Sequence, residues 1–134
     1  MYLSANQLNL VSGVITVVEV DTIPAEYVDG IENEVTYRIT PEVAGFYSVD
    51  GVITLANVIA TKDYTGYLYI SNVARDINEQ HSAINLPVTM KLFMNSVYFS
   101  ITDYVDLRVK SGAGVDTVDI SAGYKTSLTV QRVR

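Results

Sequence analysis

The stretch FYSVDGVITLANV, residues 46–58, is the longest β-strand pattern in the chain and decides its fold class. Side chains alternate between the two faces of a strand, so every second residue shares a face. The face predicted to turn towards a core carries Tyr47, Val49, Gly51, Ile53 and Leu55. The length of the stretch predicts a strand at the centre of a sheet.

Alternating segments rich in Val, Ile, Thr and Tyr lie on both sides of this stretch, separated by turn residues. Together they predict an all-β fold, a two-sheet antiparallel sandwich of about 8–10 strands. The stretch Ala74–Leu86, which is polar from Arg75 to His81, is interpreted as a loop or a single helical turn. The other predicted strands are Val14–Val20, Val35–Thr40, Gly66–Val73, Val88–Phe93, Val97–Ile101 (after a turn at Asn95-Ser96), Tyr104–Val109, Val115–Ile120 and Ser127–Val133.

Composition limits the partners that the chain is expected to bind. Its 134 residues fit one domain, 1–134, and it contains no cysteine. The formal charge of −6 and the scattered Lys and Arg residues argue against nucleic acid as a partner, because phosphate binding needs clustered positive charge. Its apolar runs are shorter than the roughly 18 residues of a membrane span. We therefore expect neither a nucleic-acid nor a membrane partner.

Several segments carry a resemblance to a known family. The stretch Tyr37–Tyr47, YRITPEVAGFY, resembles the aromatic–x–x–x–Pro–x–x–x–Gly–x–Tyr motif of tumour-necrosis-factor-like and complement globular-head jelly rolls. Residues Ile101–Val109 and Ser127–Val133 resemble two later strands of that family, although Thr102 stands where the family usually has glycine. Val17–Thr22, with Tyr27 and Asp29-Gly30, is similar to the versions of this fold found in phage virion proteins.

This resemblance implies a jelly roll that assembles as a homotrimer. The sequence contains ten tyrosines, a residue type that buries apolar area while keeping a polar tip, as interfaces require. Period-two patterning does not separate core positions from interface positions. The residues predicted to form the core or the trimer interface are Tyr47, Val49, Tyr67, Tyr69, Val105 and Leu107.

No residue pattern specifies a reaction, so we expect the protein not to be an enzyme. His81 is the single histidine and is interpreted as an exposed loop residue rather than an acid–base catalyst. The paired carboxylates, such as Asp103 with Asp106 and Asp116 with Asp119, lack the spacing of a calcium loop. We expect no catalytic residue, no metal and no cofactor.

The leading functional hypothesis is a bacteriophage capsid decoration, or cement, protein that binds the major capsid protein and is part of the virion. The opening residues lack the features of a secretion signal, which predicts assembly in the host cytoplasm. The ends of the chain are the predicted capsid contacts, namely Met1, Tyr2, Arg132 and Arg134.

The alternative hypothesis is a receptor-binding head of a tail or head fibre that recognises a host glycan or protein. Tyrosine rings stack on sugars, and three tyrosines that fall in predicted loops are candidates for this contact, Tyr27, Tyr64 and Tyr124. A bacterial surface adhesin is a third, less favoured interpretation.

Overall fold

The computed structural model describes residues 1–23, 32–33 and 37–133, which form strands and connecting segments with no helix. No helix in this part of the chain could therefore cross a lipid bilayer. The strands are β1 (Tyr2–Leu3), β2 (Thr16–Val17), β3 (Glu32–Asn33), β4 (Arg38–Ile39), β5 (Gly45–Ala56), β6 (Lys62–Ile70), β7 (Val73–Ser82), β8 (Val88–Phe99), β9 (Val105–Ser111), β10 (Asp119–Ile120) and β11 (Gly123–Arg132).

The strands form two antiparallel sheets. Sheet A has the order β1-β11-β5-β8, and the short β10 pairs with the end of β5. Sheet B has the order β3-β4-β9-β6-β7, and β2 also pairs with β9. The chain passes from one sheet to the other at five of the seven connections from β4 to β11, which is the winding of a jelly roll. The predicted all-β, two-sheet jelly roll is thus confirmed, with eleven strands in the described residues because five are only two residues long.

The core lies between the two sheets, and the predicted inward faces of the long strands are confirmed. Tyr47, Val49, Ile53 and Leu55 of β5 are buried, and Leu68 and Ile70 of β6 face them. The Tyr47 ring packs edge-on against Phe99, with ring centroids 5.7 Å apart. Its hydroxyl donates to the carbonyl oxygen of Val43 at 2.6 Å, so this buried polar atom is satisfied.

Gly51 shows why the inward face of β5 has one position without a side chain. A Cβ atom at Gly51 would lie 2.5 Å from Cδ2 of Leu107, which belongs to the opposite sheet. The missing side chain gives Leu107 the space that it fills at the centre of the sandwich. The glycine therefore determines how closely the sheets approach at this point.

The prediction for Ala74–Leu86 is wrong, because most of this stretch is strand β7, at the edge of sheet B. Its inward-facing side chains are polar, and two of them bind the backbone of β8 instead of filling the core. Asp76 Oδ2 accepts the N–H of Phe93 at 2.8 Å, and Asn78 Nδ2 donates to the carbonyl of Lys91 at 2.8 Å. These bonds cap the free edge of β8, so β7 lacks the apolar alternation by which strands are recognised.

The turn predicted at Asn95-Ser96 is instead a β-bulge within one continuous strand, β8. Val97 pairs with Tyr47 and Met94 pairs with Val49, so Asn95 and Ser96 stand opposite Ser48 alone. The extra residue shifts the side-chain alternation of β8 by one position, so that both halves of the strand stay in register with β5. As a result Phe99 and Leu92 both face the core, while Tyr98 and Phe93 both face outwards.

The strand predicted at Val14–Val20 is shorter than expected, with ladder pairing only at Thr16 and Val17. The side chain of Gln7 takes the place of a neighbouring strand, since its amide donates to the carbonyl of Val17 and accepts the N–H of Glu19, both at 3.1 Å. This segment is extended and its Val18 and Val20 side chains are buried, although it lies outside a regular ladder.

Candidate functional site

The outer face of sheet A carries three exposed aromatic side chains, here called the aromatic patch: Phe46, Phe93 and Tyr98. They occupy outward positions of β5 and β8, whose alternate residues fill the core. Their exposed fractions are 52%, 54% and 56%. Phe46 and Tyr98 are cross-strand partners, and their rings meet edge-on with centroids 5.4 Å apart. The sequence singled out none of them, although each alternates with a core residue.

One aliphatic side chain extends the aromatic patch beyond the strands. Val133 is exposed, and its N–H donates to the Phe46 carbonyl at 2.8 Å, which holds it beside Phe46. Val43 is also exposed but lies in the connection between β4 and β5, where its carbonyl accepts the hydroxyl of the inward-facing Tyr47. Exposed apolar surface of this kind, on a framework fixed by the sheet, is typical of a protein–protein contact.

The outer face of sheet B carries a different group, here called the tyrosine–arginine cluster: Tyr67, Tyr69, Asp106 and Arg108. The Arg108 guanidinium lies over the Tyr69 ring, 4.0 Å from its centroid. The Tyr67 and Tyr69 rings meet edge-on at 5.9 Å. Both tyrosines are half-buried, so these two rings are more covered than the rings of the aromatic patch.

An ion pair and hydrogen bonds hold the guanidinium of Arg108 in one orientation. Arg108 Nε donates to Asp106 Oδ1 at 2.8 Å, and Nη2 donates to Asp106 Oδ2 at 3.1 Å and to Asn72 Oδ1 at 2.7 Å. The Asp106 carboxylate raises the pKa of the Arg108 guanidinium above its ordinary value, and partial burial opposes this rise. The bidentate pair therefore keeps a positively charged, oriented guanidinium against the Tyr69 ring.

The structure separates the six residues predicted for the core or the trimer interface. Tyr47, Val49, Val105 and Leu107 are buried between the sheets and belong to the core. Tyr67 and Tyr69 instead lie on the outer face of sheet B. These two sets of residues do not form one continuous surface.

Of the three tyrosines predicted to lie in loops and stack on sugars, the prediction for Tyr64 is wrong. It lies in β6 and is fully buried, because its inward position faces the core. Its hydroxyl accepts the N–H of Ile59 at 2.8 Å and donates to the Ile59 carbonyl at 3.2 Å. Tyr124 lies in β11 rather than in a loop, and Tyr27 lies outside the described residues.

The predicted capsid contacts are also divided. The amino group of Met1 donates to the carbonyl of Leu128 at 2.8 Å, and Tyr2 pairs with Ser127 in sheet A, so this end of the chain is bound into the fold. Arg132 is exposed at the end of β11, while Arg134 lies outside the described residues. The capsid contacts at Met1, Tyr2 and Arg132 stay predictions.

The single histidine lies on strand β7 rather than in the predicted loop, and it is exposed as expected. His81 Nδ1 lies 2.7 Å from Asp63 Oδ1, and both side chains are more than half exposed. The hydroxyl of the neighbouring Ser82 donates to the Ile84 carbonyl and not to His81. In the described part of the chain, no three His, Asp or Glu residues are grouped as metal ligands would be.

The strand order and the two packed sheets define an all-β jelly-roll protein with an exposed aromatic face. Among solved structures, the chain is similar to "Structure of Eiger TNF from S. frugiperda", with 12% sequence identity and a TM-score of 0.49, over 99% of this chain and 93% of that chain. No family model and no curated protein matches the chain.

Proposed function

We propose that this protein is a non-enzymatic structural protein of a bacteriophage virion, a homotrimeric decoration protein that binds the major capsid protein and stabilises the shell. The observation that carries the proposal is the aromatic patch, in which Phe46, Phe93 and Tyr98 are each more than half exposed on one sheet. Large aromatic side chains are enriched where protein surfaces meet. The phage assignment comes from the sequence resemblance described above.

The aromatic patch is the proposed trimer interface. An aromatic side chain has roughly 150–250 Å² to bury, so three of them supply a substantial apolar contact for each subunit. The backbone under the patch is held by the β5–β8 ladder, so little conformational freedom is lost when the patch is covered. A closed three-fold assembly covers the patch in every copy, whereas a monomer leaves all three side chains in water.

A trimer of this kind would stabilise a capsid shell by binding to it, without catalysing a reaction. A protein that binds only the assembled shell stabilises that shell by mass action. A three-fold symmetric protein also fits the positions where three shell subunits meet. The proposed location is therefore the outside of the virion, after assembly in the host cytoplasm.

The experiment that tests this role is the copy number in purified particles of the source phage, measured by quantitative mass spectrometry against the major capsid protein. Decoration requires hundreds of copies in each particle. A handful of copies would contradict decoration and place the protein in a tail or fibre. Complete absence from particles would contradict any virion role.

A second candidate function, glycan recognition by a fibre head, is favoured by the tyrosine–arginine cluster. Tyr67 and Tyr69 are partly exposed side by side, and Asn72 and Arg108 next to them supply polar groups for sugar hydroxyls. Binding of the wild-type protein to a glycan array, lost on Tyr67→Ala, would support this function. Absence of binding together with a high copy number would exclude it in favour of decoration.

A further inference from the structure

The jelly-roll winding brings four connecting segments to one end of the sandwich. Residues 57–61 join β5 to β6, residues 83–87 join β7 to β8, and residues 112–118 join β9 to β10. Residues 8–15 reach the same end, since Leu10 N donates to the Val118 carbonyl at 2.8 Å and Gly13 N donates to the Ser111 carbonyl at 2.8 Å. These four segments are called the apolar end below.

The apolar end is rich in exposed aliphatic side chains. Of the sixteen large apolar side chains exposed in the described residues, eight lie in these four segments. Clustered apolar exposure marks an interaction site more often than single exposed residues do. Six of the eight are between 47% and 62% exposed: Leu8, Val11, Val14, Ile84, Leu86 and Val115.

Charge distinguishes the apolar end from the opposite end of the sandwich. The four segments contain 25 residues, of which only Asp116 is charged. Its carboxylate is already used within the fold, because Oδ1 accepts the N–H of Ser12 at 2.8 Å. The opposite end also exposes apolar residues, but these alternate with charged ones such as Glu42, Asp103 and Arg132.

Hydrogen bonds between the segments hold the apolar end in one shape. The Asp119 carboxylate joins two of them, accepting the N–H of Asn9 at 2.9 Å and the side-chain amide of Asn57 at 2.8 Å. Asn85 Oδ1 accepts the N–H of Ala60 at 2.6 Å, which joins residues 83–87 to residues 57–61. A surface that is ordered before binding loses little entropy when a partner covers it.

The chemistry of the apolar end favours a protein partner. The four segments contain no aromatic side chain for stacking on sugars and no Lys or Arg for phosphate or lipid headgroups. They combine aliphatic side chains with short amides and hydroxyls, the composition of a protein–protein contact whose centre is depleted of charge. In the proposed homotrimer, the copies of this chain already meet through the aromatic patch on sheet A, so the apolar end is left for a different protein.

We propose that the apolar end is the surface by which this protein docks on the shell, and that it binds an uncharged, apolar face of the major capsid protein. This inference rests on the proposed function and names the surface that performs it. It replaces the ends of the chain as the main capsid contact. The aromatic patch lies on a sheet face and the apolar end lies at the loops, so trimer formation and docking use different residues.

The test measures binding to shells assembled from the major capsid protein of the source phage, by co-sedimentation over a range of concentrations. The variant Ile84→Asp/Leu86→Asp places two charges on exposed side chains of the apolar end, and Val11→Asp probes a second segment of the same surface. We expect affinity to fall at least about 30-fold for the double variant, with the trimer and the melting temperature unchanged. The matched control is Ile101→Asp, whose side chain is 62% exposed at the opposite end.

The outcomes separate this inference from the proposed function. If the wild-type protein does not bind shells, decoration itself is wrong. If the wild type binds and the Ile84→Asp/Leu86→Asp and Val11→Asp variants bind equally well, only the docking surface is wrong, and loss of binding on Arg132→Ala would return the contact to the chain end.

Wild-type hexamers that these variants convert to trimers would assign the surface to a second copy. Binding to phosphatidylcholine vesicles that these variants abolish would assign it to lipid, and either result overturns the inference.

Discussion

The outer faces of the two sheets carry similar aromatic residues in different surroundings. On sheet B, strand β9 places Arg108 and Asp106 beside Tyr69, and the bidentate ion pair covers one side of the ring. On sheet A, the neighbour of Phe93 across the ladder is the exposed Asp50, and no cation covers the rings of the aromatic patch in the described residues. An outward aromatic side chain is therefore covered by neighbouring side chains on sheet B and left exposed on sheet A.

The largest expected effect is on assembly, at the aromatic patch. The variant Phe46→Asp/Tyr98→Asp places two charges on the proposed trimer interface, and burial of unpaired charge is unfavourable. We expect the trimer to dissociate to monomers, as measured by sedimentation velocity or native mass spectrometry. The control is Ile77→Asp, a 58% exposed side chain on the outer face of sheet B, which should leave the trimer intact. Dissociation by Ile77→Asp alone would reverse the roles of the two faces.

The next largest effect is on the stability of each subunit, at the tyrosine–arginine cluster. Asp106 is buried, so Asp106→Ala leaves the partly buried Arg108 guanidinium without its carboxylate partner and with only the Asn72 side chain to bind. We expect the free energy of unfolding to fall by about 3 kcal/mol, measured by denaturant titration. The control on sheet A, Asp50→Ala, removes an exposed carboxylate and should change stability by less than about 0.5 kcal/mol. Equal effects of the two substitutions would remove the distinction between the faces.

A smaller effect is expected from Tyr69→Leu, which keeps apolar volume but removes the ring under the guanidinium. The contact between Arg108 and the ring should be worth about 1 kcal/mol at this partly exposed position. Removing the arginine first, in Arg108→Met, should abolish most of the cost of Tyr69→Leu in a double-mutant cycle. An unchanged cost in the Arg108→Met background would show that the ring packs independently of the cation.

The smallest effect concerns acid stability at the turn before β9. The backbone N–H of Ser100 and the hydroxyl of Ser71 donate to the Asp103 carboxylate at 2.8 and 2.9 Å, and they lower its pKa below the ordinary value of 3.8. A pKa that is lower in the folded state contributes stability above pH 3.8 and loses it as the pH falls through the folded value. We expect Asp103→Asn to be less stable than wild type at pH 7, with the gap narrowing below pH 3.8. A gap independent of pH would contradict this.

The sequence was sufficient to predict which residues face the core in strands that have one buried face. Period-two alternation placed Tyr47 and Val49 inwards on β5 and Val105 and Leu107 inwards on β9, and the structure confirms all four. It failed on β7, whose inward positions carry Asp76 and Asn78 because they bind the β8 backbone rather than the core. A polar strand gives no periodic signal when its partners are backbone groups distant in the sequence.

The sequence predicted less about the candidate surfaces, because it did not show which outward side chains are exposed. Phe46 alternates with the core residue Tyr47, so its outward direction followed from the pattern, but its exposure did not. Tyr69 also alternates with core residues, and there Arg108 covers the ring. Tyr64 was predicted to lie in a loop because the start of β6 was predicted too late in the chain, and it is instead a buried support for the Ile59 backbone.

The sequence by itself determined the fold class of this protein, since alternation and β-forming residues are local properties that each strand carries alone. The tertiary structure decided which outward side chains remain exposed, because their cover comes from strands far away in the chain. It also decided that residues 8–15, 57–61, 83–87 and 112–118 meet at one end, since the jelly-roll winding brings them together. The surfaces proposed for trimer formation and for docking therefore both depend on the tertiary structure.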